Sequence, residues 1–305
     1  MKFNAASIPI VIMTRNESGF ISKCVSSIIN TVTIDFHIYI VDNNSTDYRH
    51  LDELDKIKSN YPNLITLVSN KKNKWVIGIN ETLKEIKKNH RTKYFILTDG
   101  DIDFSKCITP SSCWLTYLIN RMDENISIGK IGLSLSWEYM LENEVFFKNV
   151  INQEEGLYNN SKMINDLYIS SVDTTAAIYR WDWSIEKSSK FYPDHMRYLR
   201  PELYSCRTNR TILVEHMGWR QYNTASNNVS ELNSKILCFT LYGGHVKTEI
   251  LNKADKKYKL TYTLLSYPIH KVWVIRRWLF SLIYFVRKIR VGFDGQNSSD
   301  INNQL

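Results

Sequence analysis

Four short apolar runs, each ending in a polar segment, constrain the fold of this chain more than any other feature. The runs are Ile8 to Met13, His37 to Val41, Asn63 to Val68 and Tyr94 to Thr98. Amphipathic helical spacing separates them, at Phe20 to Ile29, Leu51 to Ser59 and Glu81 to Lys88. The first run is rich in β-branched residues, which suits a strand buried on both faces. Alternating strands and helices predict an α/β fold with a mostly parallel sheet and crossover helices.

Polar clusters follow three of these strands directly. They are Thr14 to Glu17 (TRNE), Asp42 to Asp47 (DNNSTD) and Asp99 to Asp103 (DGDID). In open α/β sheets, ligands bind beyond the carboxyl ends of the strands. Asn, Asp, Ser and Thr also favour simple turns. Three such clusters at three strand ends nevertheless predict a binding site at this edge.

The third cluster contains overlapping pairs of carboxylates. Asp99 and Asp101 follow the strand directly, and such a pair suits Mn²⁺ or Mg²⁺ while leaving metal positions for phosphate oxygens. Asp101 and Asp103 form a second pair, and alternation along an extended segment would put all three carboxylates on one side. We rank Asp99 and Asp101 first, with Asp103 as a supporting or sugar-contacting residue. A calcium-binding EF-hand is excluded because Phe104 replaces its glycine and Pro110 its glutamate.

The three clusters together resemble the nucleotide-binding half of GT-A glycosyltransferases. They are similar to the family 2-like enzymes that build bacterial surface polysaccharides, in which VDNNSTD, as in Val41 to Asp47, is a usual second-strand ending. Asn73 to Asn80 (NKWVIGIN) lies where that family has a Gly- and Asn-containing segment. The resemblance covers about residues 6–110. It implies a Rossmann-like GT-A sheet flanked by helices, a UDP-sugar donor and bound Mn²⁺ or Mg²⁺.

The resemblance and the chemistry of the side chains assign roles at the donor site. A carboxylate at a strand end can accept a hydrogen bond from the imide N–H of uracil, and Asp42 is the candidate. Arg15 could meet phosphate as well as the base and ribose. The predicted donor-binding residues are Thr14, Arg15, Glu17, Asp42, Asn44, Asn80 and Asp99.

The second half, residues 111–260, is expected to hold the acceptor. A strand is predicted at Lys130 to Trp137 and a loop over residues 152–165. Between Leu167 and Arg180, Asp173 could contact donor-sugar hydroxyls or act as the catalytic carboxylate, with Thr174 beside it. A turn or capping role for Asp173 stays open.

A further strand, Ile212 to Trp219, runs into the sequence EHMGW. His216 stands where several GT-A families place a third metal ligand, and it is also a catalytic candidate. Trp219 could stack on a sugar or belong to the core. Inverting family 2 enzymes usually carry a Glu-Asp pair in this region. No such pair stands here, and because Asp194-His195 and Glu202 are imperfect substitutes, the stereochemistry of transfer stays open.

The segment Lys271 to Arg290 combines aromatic, aliphatic and basic residues. Its longest uncharged run, Trp278 to Val286, is far shorter than the about 20 residues of a spanning helix. We therefore predict an amphipathic helix on an anionic membrane surface, with a helix packed on the catalytic domain as the alternative. The expected division is a catalytic domain over residues 1–260 and a membrane-associating extension over residues 261–305.

Charge and cysteine content narrow the function further. The net charge of +8 permits a nucleic-acid partner, but no helix-turn-helix, RRM or zinc pattern occurs, so none is expected. Five cysteines without a CxxC pair, and no apolar leader, indicate a reducing, cytoplasmic compartment. The predicted helix over residues 271–290 adds the expectation that the protein lies at the inner face of the plasma membrane. The predicted activity is metal-dependent sugar transfer to a lipid-linked or surface-glycan acceptor, such as lipopolysaccharide, O-antigen or capsule. A non-catalytic donor-binding subunit and a nucleotidyltransferase are the alternatives.

Overall fold

The computed structural model describes residues 6–125, 128–172, 175–181, 205–221, 229–246 and 248–291. The chain divides into two compact units, one ending at Gln221 and one running from Tyr222 to Asp294. The functional division at residue 260 stays a prediction. All five cysteines carry free thiols, as expected for a chain without disulfides.

The first unit alternates strands and helices through its first hundred residues. Its strands are β1 (Ile8–Thr14), β2 (Phe36–Asp42), β3 (Ile65–Ser69), β4 (Tyr94–Asp99), β5 (Ile102–Asp103), β6 (Lys130–Gly132), β7 (Ser134–Leu135), β8 (Met163–Ile164), β9 (Leu167–Ile169), β10 (Ala177–Arg180), β11 (Ser205–Arg207) and β12 (Leu213–His216). Its helices are α1 (Ile21–Thr31), α2 (Tyr48–Asn60), α3 (Asn80–Asn89), α4 (Trp114–Glu124), α5 (Glu138–Glu142) and α6 (Glu144–Glu155), with 3₁₀ turns at Trp75–Ile79 and Met217–Gln221.

The larger sheet has the strand order β3-β2-β1-β4-β10-β6-β11-β9-β8 among the described residues. The first four of these strands are mutually parallel, so their carboxyl ends meet at one edge. β10 is antiparallel to both β4 and β6, and β11 is again parallel to β6. The predicted α/β fold with a mostly parallel sheet flanked by helices is therefore confirmed.

Alternation along the central strands explains why their sequences are apolar throughout. In β1, Ile10 and Ile12 pack into the core cluster shared with α1, α2 and α4, whereas Val11 packs into the cluster shared with α3. β4 does the same with Ile96 on one side and Leu97 on the other. Successive side chains of a strand point to opposite faces, and here both faces are covered by helices.

A small second sheet has the order β5-β12-β7 and lies next to the turn after β4. β12 is antiparallel to β5, which pairs His216 with Ile102, and parallel to β7. This pairing corrects the prediction of one strand over Lys130 to Trp137. The segment is instead split at Leu133 into β6 and β7, which belong to different sheets.

The predicted loop over residues 152–165 is wrong at both ends. α6 continues to Glu155, because Phe147 and Ile151 are buried on one face of that helix, and Gly156 follows as its cap. Near the other end, β8 forms a hairpin with β9. The polar composition of this segment belongs to the exposed face of a helix and to a turn.

The second unit is helical where it is described, with α7 (Val229–Leu241), α8 (Thr248–Lys253) and α9 (Lys256–Val291). α9 packs on the end of α7, where the Trp273 indole N–H donates to the Leu241 carbonyl at 2.9 Å. The Tyr262 hydroxyl accepts from the Val246 amide at 3.2 Å. The predicted helix over residues 271–290 is confirmed as part of α9. Among the residues described, no helix is both long and apolar enough to cross a membrane.

Candidate active site

The chain turns sharply between the two carboxylates that follow β4. Asp99 is the last residue of β4, and the Gly100 amide donates to the Met13 carbonyl at 3.0 Å. A Cβ atom on Gly100 would lie 2.4 Å from the Glu17 carboxylate and 2.9 Å from the Thr14 hydroxyl. Only glycine therefore lets the loop after β1 pack this closely against the carboxylate turn.

Glu17 adds a third carboxyl group to this edge of the sheet. Its carboxylate accepts a hydrogen bond from the Thr14 hydroxyl at 2.7 Å. Burial raises the pKa of Glu17 well above its usual value, and repulsion from Asp101 and then Asp99 raises it further. Thr14 is itself buried and is engaged here, so in this structure it holds Glu17 in place. A donor contact by Thr14 stays a prediction.

Asp101 and His216 come from distant parts of the sequence and meet at the start of the small sheet. The His216 Nδ1 atom lies 3.6 Å from an Asp101 carboxylate oxygen. The Met217 amide donates to the Asp101 carbonyl at 2.8 Å, which fixes the two loops together. Gly218 leaves room for the pair, since a Cβ there would lie 2.0 Å from the Asp101 carboxylate.

Trp219 fixes the orientation of the His216 ring. The two rings are stacked, with centroids 5.0 Å apart and an interplanar angle of 10°. Trp219 is 8% exposed and belongs to the main core cluster. The alternative of a core residue is thus favoured over an open platform for a sugar, and the ring supports the imidazole from behind.

The donor atoms of this pair suit a divalent cation. Asp101 Oδ1 and His216 Nδ1 are buried polar atoms that have no hydrogen-bond partner within the described residues. Carboxylate oxygen and imidazole nitrogen both suit Mn²⁺, and the crowding of Glu17, Asp99 and Asp101 would be relieved by positive charge. Within the described ranges, no three His, Cys, Asp or Glu side chains converge into a complete metal site.

Asp103 does not join this cluster. Its carboxylate is paired with the Lys23 ammonium at 2.8 Å and accepts from the Ser105 amide at 2.9 Å. Burial by itself would raise its pKa, but these hydrogen bonds lower the pKa of Asp103 below its usual value. The expectation that all three aspartates share one side is wrong, because the turn at Gly100–Asp101 breaks the alternation of an extended strand.

Asp42 lies at the carboxyl end of β2 and is buried. Both carboxylate oxygens accept from the Ser45 amide at 3.2 Å, which closes the polar loop into a turn. The His50 ring nitrogen lies 3.9 Å from Asp42 Oδ1. Burial lowers the pKa of His50 and outweighs the negative charge of Asp42, which by itself would raise it. Asn44 turns the chain in this loop with φ of 64°.

Asn16 and Asn43 are two organising residues that the sequence interpretation missed. The Asn16 side-chain oxygen accepts from the Thr46 amide at 2.8 Å and from the Asp47 amide at 3.0 Å, which joins the first two polar clusters. Asn16 has φ of 54°, and Asn tolerates this left-handed conformation better than most residues. Its position inside a polar cluster was the one available signal.

Asn43 holds the segment that precedes α3. Its buried side chain donates to Asn73 Oδ1 at 2.9 Å and to the Trp75 carbonyl at 3.1 Å, and accepts from the Lys74 amide at 2.9 Å. A Cβ on Gly78 would lie 2.8 Å from Asn43 Oδ1, so the glycine of this segment is also required. Asn80 follows as the buried first residue of α3.

The remaining candidates divide into two groups. Asp99 is described, and its Oδ2 atom accepts from the Thr175 hydroxyl at 3.2 Å. Arg15 is partly buried in the loop after β1. Asp173, Thr174, Asp194, His195 and Glu202 lie outside the described residues.

Comparison with known proteins identifies the part of the chain that carries these clusters. Residues 10–132 match the family model described as Glycosyl transferase family 2. The matched segment contains all three polar clusters and spans less than half of the chain. The chain is accordingly a glycosyltransferase that takes its sugar from a nucleotide-sugar donor. The D-x-D turn and the strand ends described above all lie within the matched domain or pair directly with it. A comparison with curated protein sequences gave no match.

Several solved glycosyltransferase structures are similar at low identity. A mannosyltransferase from Pyrobaculum calidifontis, in complex with GDP-Man and Mn²⁺, is 12% identical with a TM-score of 0.48; the match covers 93% of this chain and 75% of that one. TarS from S. aureus is 11% identical with a TM-score of 0.41, covering 89% and 54%. Glucosyl-3-phosphoglycerate synthase from Mycobacterium tuberculosis is 12% identical with a TM-score of 0.42, covering 69% and 70%. The assignment of the domain rests on the family match, and that of the fold on the strand order.

Proposed function

We propose that this glycosyltransferase moves a sugar from a UDP-sugar to a lipid-linked or surface-glycan acceptor, of the lipopolysaccharide, O-antigen or capsule type, with a divalent cation bound. The observation that supports the cation requirement is the Asp101–His216 pair: the two side chains are 3.6 Å apart, and each has a buried polar atom that makes no hydrogen bond to any described residue. Buried polar groups are normally hydrogen-bonded, so atoms left in this state at a strand edge suit a bound ion.

Mn²⁺ or Mg²⁺ would be held by Asp101 and His216, which meet in the structure, with Asp99 as the proposed third ligand, and it would neutralise charge on the departing nucleotide diphosphate. The protein contributes the fixed placement of these side chains. Trp219 stacks against His216, and the Thr175 hydroxyl donates to Asp99. Because these groups are held before substrate arrives, they lose little freedom when the donor binds.

The nucleoside would lie at the carboxyl ends of β1 and β2. Asp42 would accept from the imide N–H of uracil, and Asn44 and Asn80 would complete this part of the donor site. Arg15 would meet the phosphates, and Glu17 would border the ribose. Asp173 is our candidate for the catalytic carboxylate, with Thr174 next to it.

The proposed acceptor type is supported by α9, which packs within its own unit on one side and has an exposed side as well. Between residues 256 and 291 the chain has nine Lys and Arg residues and no Asp or Glu. Several apolar residues of α9 are each more than half exposed and fall on one broad side of the helix: Leu260, Leu264, Tyr267, Val272, Ile275, Trp278, Leu279 and Leu282. A helix with one apolar face and wholly basic charge suits an anionic lipid surface, where a lipid-linked acceptor is found. The proposed location is the cytoplasmic face of the plasma membrane.

Donor hydrolysis tests the cation and the nucleotide. The wild-type protein should hydrolyse a UDP-sugar only with Mn²⁺ or Mg²⁺ present, and Asp101→Asn should lose at least about 100-fold in rate. Asp166→Asn is the matched control, because the Asp166 carboxylate lies outside the polar loops and pairs with the Arg121 guanidinium at 3.0 Å. Full turnover by Asp101→Asn, or by wild type in EDTA, would contradict the cation assignment.

A thermal-shift screen of nucleotide sugars with Mn²⁺ identifies the donor. A ligand that binds only the folded state raises the melting temperature, so the correct donor should do so selectively. If GDP- or dTDP-sugars stabilise the protein and no UDP-sugar does, the uracil role of Asp42 is wrong.

Vesicle sedimentation tests the membrane proposal. The protein should sediment with vesicles containing phosphatidylglycerol at low salt, and less with pure phosphatidylcholine. Ile275→Glu should weaken this binding, whereas Val145→Glu on α6 should not, although Val145 is 98% exposed. If wild-type protein stays in the supernatant with anionic vesicles, α9 has another partner.

A further inference from the structure

We infer that Lys130 and Thr175 are positioning residues for the Asp99 carboxylate. Thr175 would act by direct hydrogen bond, and Lys130 would act through the backbone at Val172. The inference rests on the proposed function, since it concerns the carboxylate assigned there to the cation and donor. Neither residue is among the site residues predicted from the sequence.

Lys130 is a charged side chain in the core of the first unit. It is the first residue of β6 and is 0% exposed. Its ammonium donates to the Val172 carbonyl at 2.6 Å and lies 4.7 Å above the centre of the Tyr179 ring. Burying an ammonium group is costly, and an apolar side chain would fill the same space without that cost. The ammonium thereby fixes the backbone at Val172.

The same strand holds Val172 a second time through its side chain. Gly132 lies two residues beyond Lys130, on the same face of β6. A Cβ on Gly132 would lie 2.4 Å from Val172 Cγ1, so the valine occupies the space that the glycine leaves empty. Val172 is thus fixed through both its carbonyl oxygen and its side chain.

The far end of this short segment is also fixed to the residues after β6. The Leu133 amide donates to the Ala176 carbonyl at 2.9 Å. Ala176 has φ of 44°, an uncommon conformation for a residue with a side chain. Thr175 lies directly before this turn, is buried, and directs its hydroxyl to Asp99 Oδ2 at 3.2 Å. The attachment of Val172 to β6 and that of Ala176 to Leu133, just beyond β6, therefore flank Thr175 and fix the position from which its hydroxyl meets Asp99.

The consequence is a fixed orientation for one carboxylate. Asp99 lies at the end of β4, and β10, which follows Ala176, pairs with β4 in antiparallel register. A hydrogen bond to one oxygen limits rotation of the carboxylate and leaves the other oxygen with a defined direction. Loss of such a bond should weaken cation binding more than it weakens the fold.

Substitutions at Thr175 give the direct test. Mn²⁺ affinity, alone and with UDP, is measured by electron paramagnetic resonance, and folding by thermal unfolding of the metal-free protein. Thr175→Val removes the hydroxyl at nearly constant volume and should weaken Mn²⁺ binding about tenfold, the usual effect of a hydrogen bond to a charged group. Thr175→Ser keeps the hydroxyl and should restore the affinity to within about twofold of wild type.

Lys130→Met tests the action through Val172. It should raise the Mn²⁺ dissociation constant and the KM for Mn²⁺, with kcat at saturating Mn²⁺ changed much less. Thr208→Val is the structural control, because the buried Thr208 hydroxyl donates to the Ile212 carbonyl at 2.7 Å. It should lower the melting temperature without changing Mn²⁺ affinity. If Lys130→Met does not fold, the Thr175 pair still decides the role of the hydroxyl.

The inference is overturned if Thr175→Val binds Mn²⁺ as wild type does, or if Thr175→Ser is as weak as Thr175→Val. It is also overturned if Thr208→Val lowers Mn²⁺ affinity as much as Lys130→Met, since the effect would then be general loosening. These results differ from failure of the proposed function, in which the wild-type protein itself neither binds Mn²⁺ with UDP nor hydrolyses a donor.

Discussion

Gly218→Ala is the most informative single substitution, because it displaces the Asp101 carboxylate without removing any polar group of the site. The added Cβ would lie 2.0 Å from Asp101 Oδ2 and 2.9 Å from His216 Cε1. Contacts of Cβ atoms below 3.0 Å are essentially never tolerated. The imidazole cannot yield easily because its ring is stacked on buried Trp219. The carboxylate must therefore move by at least about 1 Å.

A displacement of that size has a large effect on catalysis. Misplacement of a reacting or orienting group by about 1 Å can cost about 100-fold in rate, or about 2.7 kcal/mol of transition-state stabilisation. We expect Gly218→Ala to lose about 100-fold in kcat/KM for donor hydrolysis with Mn²⁺. The loss of folding stability should be small, because Gly218 is partly exposed and the affected atoms are two side-chain ends.

Steady-state kinetics and thermal unfolding together check this prediction. The control is Gly156→Ala at the end of α6, where the added Cβ would meet nothing nearer than the Gln153 carbonyl at 3.5 Å. It should keep wild-type kcat/KM. If Gly218→Ala also keeps wild-type kcat/KM, then Asp101 does not need its position beside His216, and the reasoning from this pair is refuted.

Three further predictions follow from the neighbouring contacts. Asp103→Asn should lower the melting temperature but leave Mn²⁺ affinity within about twofold of wild type, because its carboxylate pairs with Lys23; a large fall in affinity would return Asp103 to the site. Asn43→Leu should reduce the free energy of unfolding by about 2–4 kcal/mol in urea titrations, since several buried hydrogen bonds to the 70–75 loop are lost. It should also raise the donor KM, and an unchanged donor KM would show that this loop does not contact the donor. Burial lowers the pKa of His37 to about 4, and repulsion from His90 contributes to this shift. Burial also lowers the pKa of His90. Protonation of either ring therefore favours the unfolded chain. Stability to urea should be full above about pH 6.5 and fall as the pH drops towards 4, and His37→Gln should flatten that fall; an equally steep fall in the variant would assign it to other groups.

The central strands could be predicted from sequence because their cause is local. Ile10 and Val11 face opposite sides of one sheet and are both buried, so the whole run must be apolar. The polar clusters likewise mark strand ends, because the chain needs turns there. The pairs Glu81–Lys84 and Glu85–Lys88 on α3 lie within 4.0 and 3.3 Å, as neighbours on one helix face should.

Two predictions were wrong where the cause is a contact between distant segments. Polar residues near Gln153 read as a loop, yet burial of Phe147 and Ile151 keeps that part of α6 helical. A single run from Lys130 to Trp137 read as one strand, yet its two halves pair with different partners. Local composition carries no information about which partner a strand finds.

The sequence by itself determined the α/β fold class, the edge of the sheet where polar residues gather, and the D-x-D turn, because periodicity and turn chemistry are properties of neighbouring residues. Only the tertiary structure decided which of those residues meet. Pairing of β12 with β5 brings His216 to Asp101 across more than a hundred residues, whereas Asp103 pairs with Lys23 of α1. The tertiary structure also placed Lys130 in the core, where its ammonium donates to the Val172 carbonyl. Contacts of this kind depend on strand register and on the space left by Gly100, Gly132 and Gly218, which no local pattern encodes.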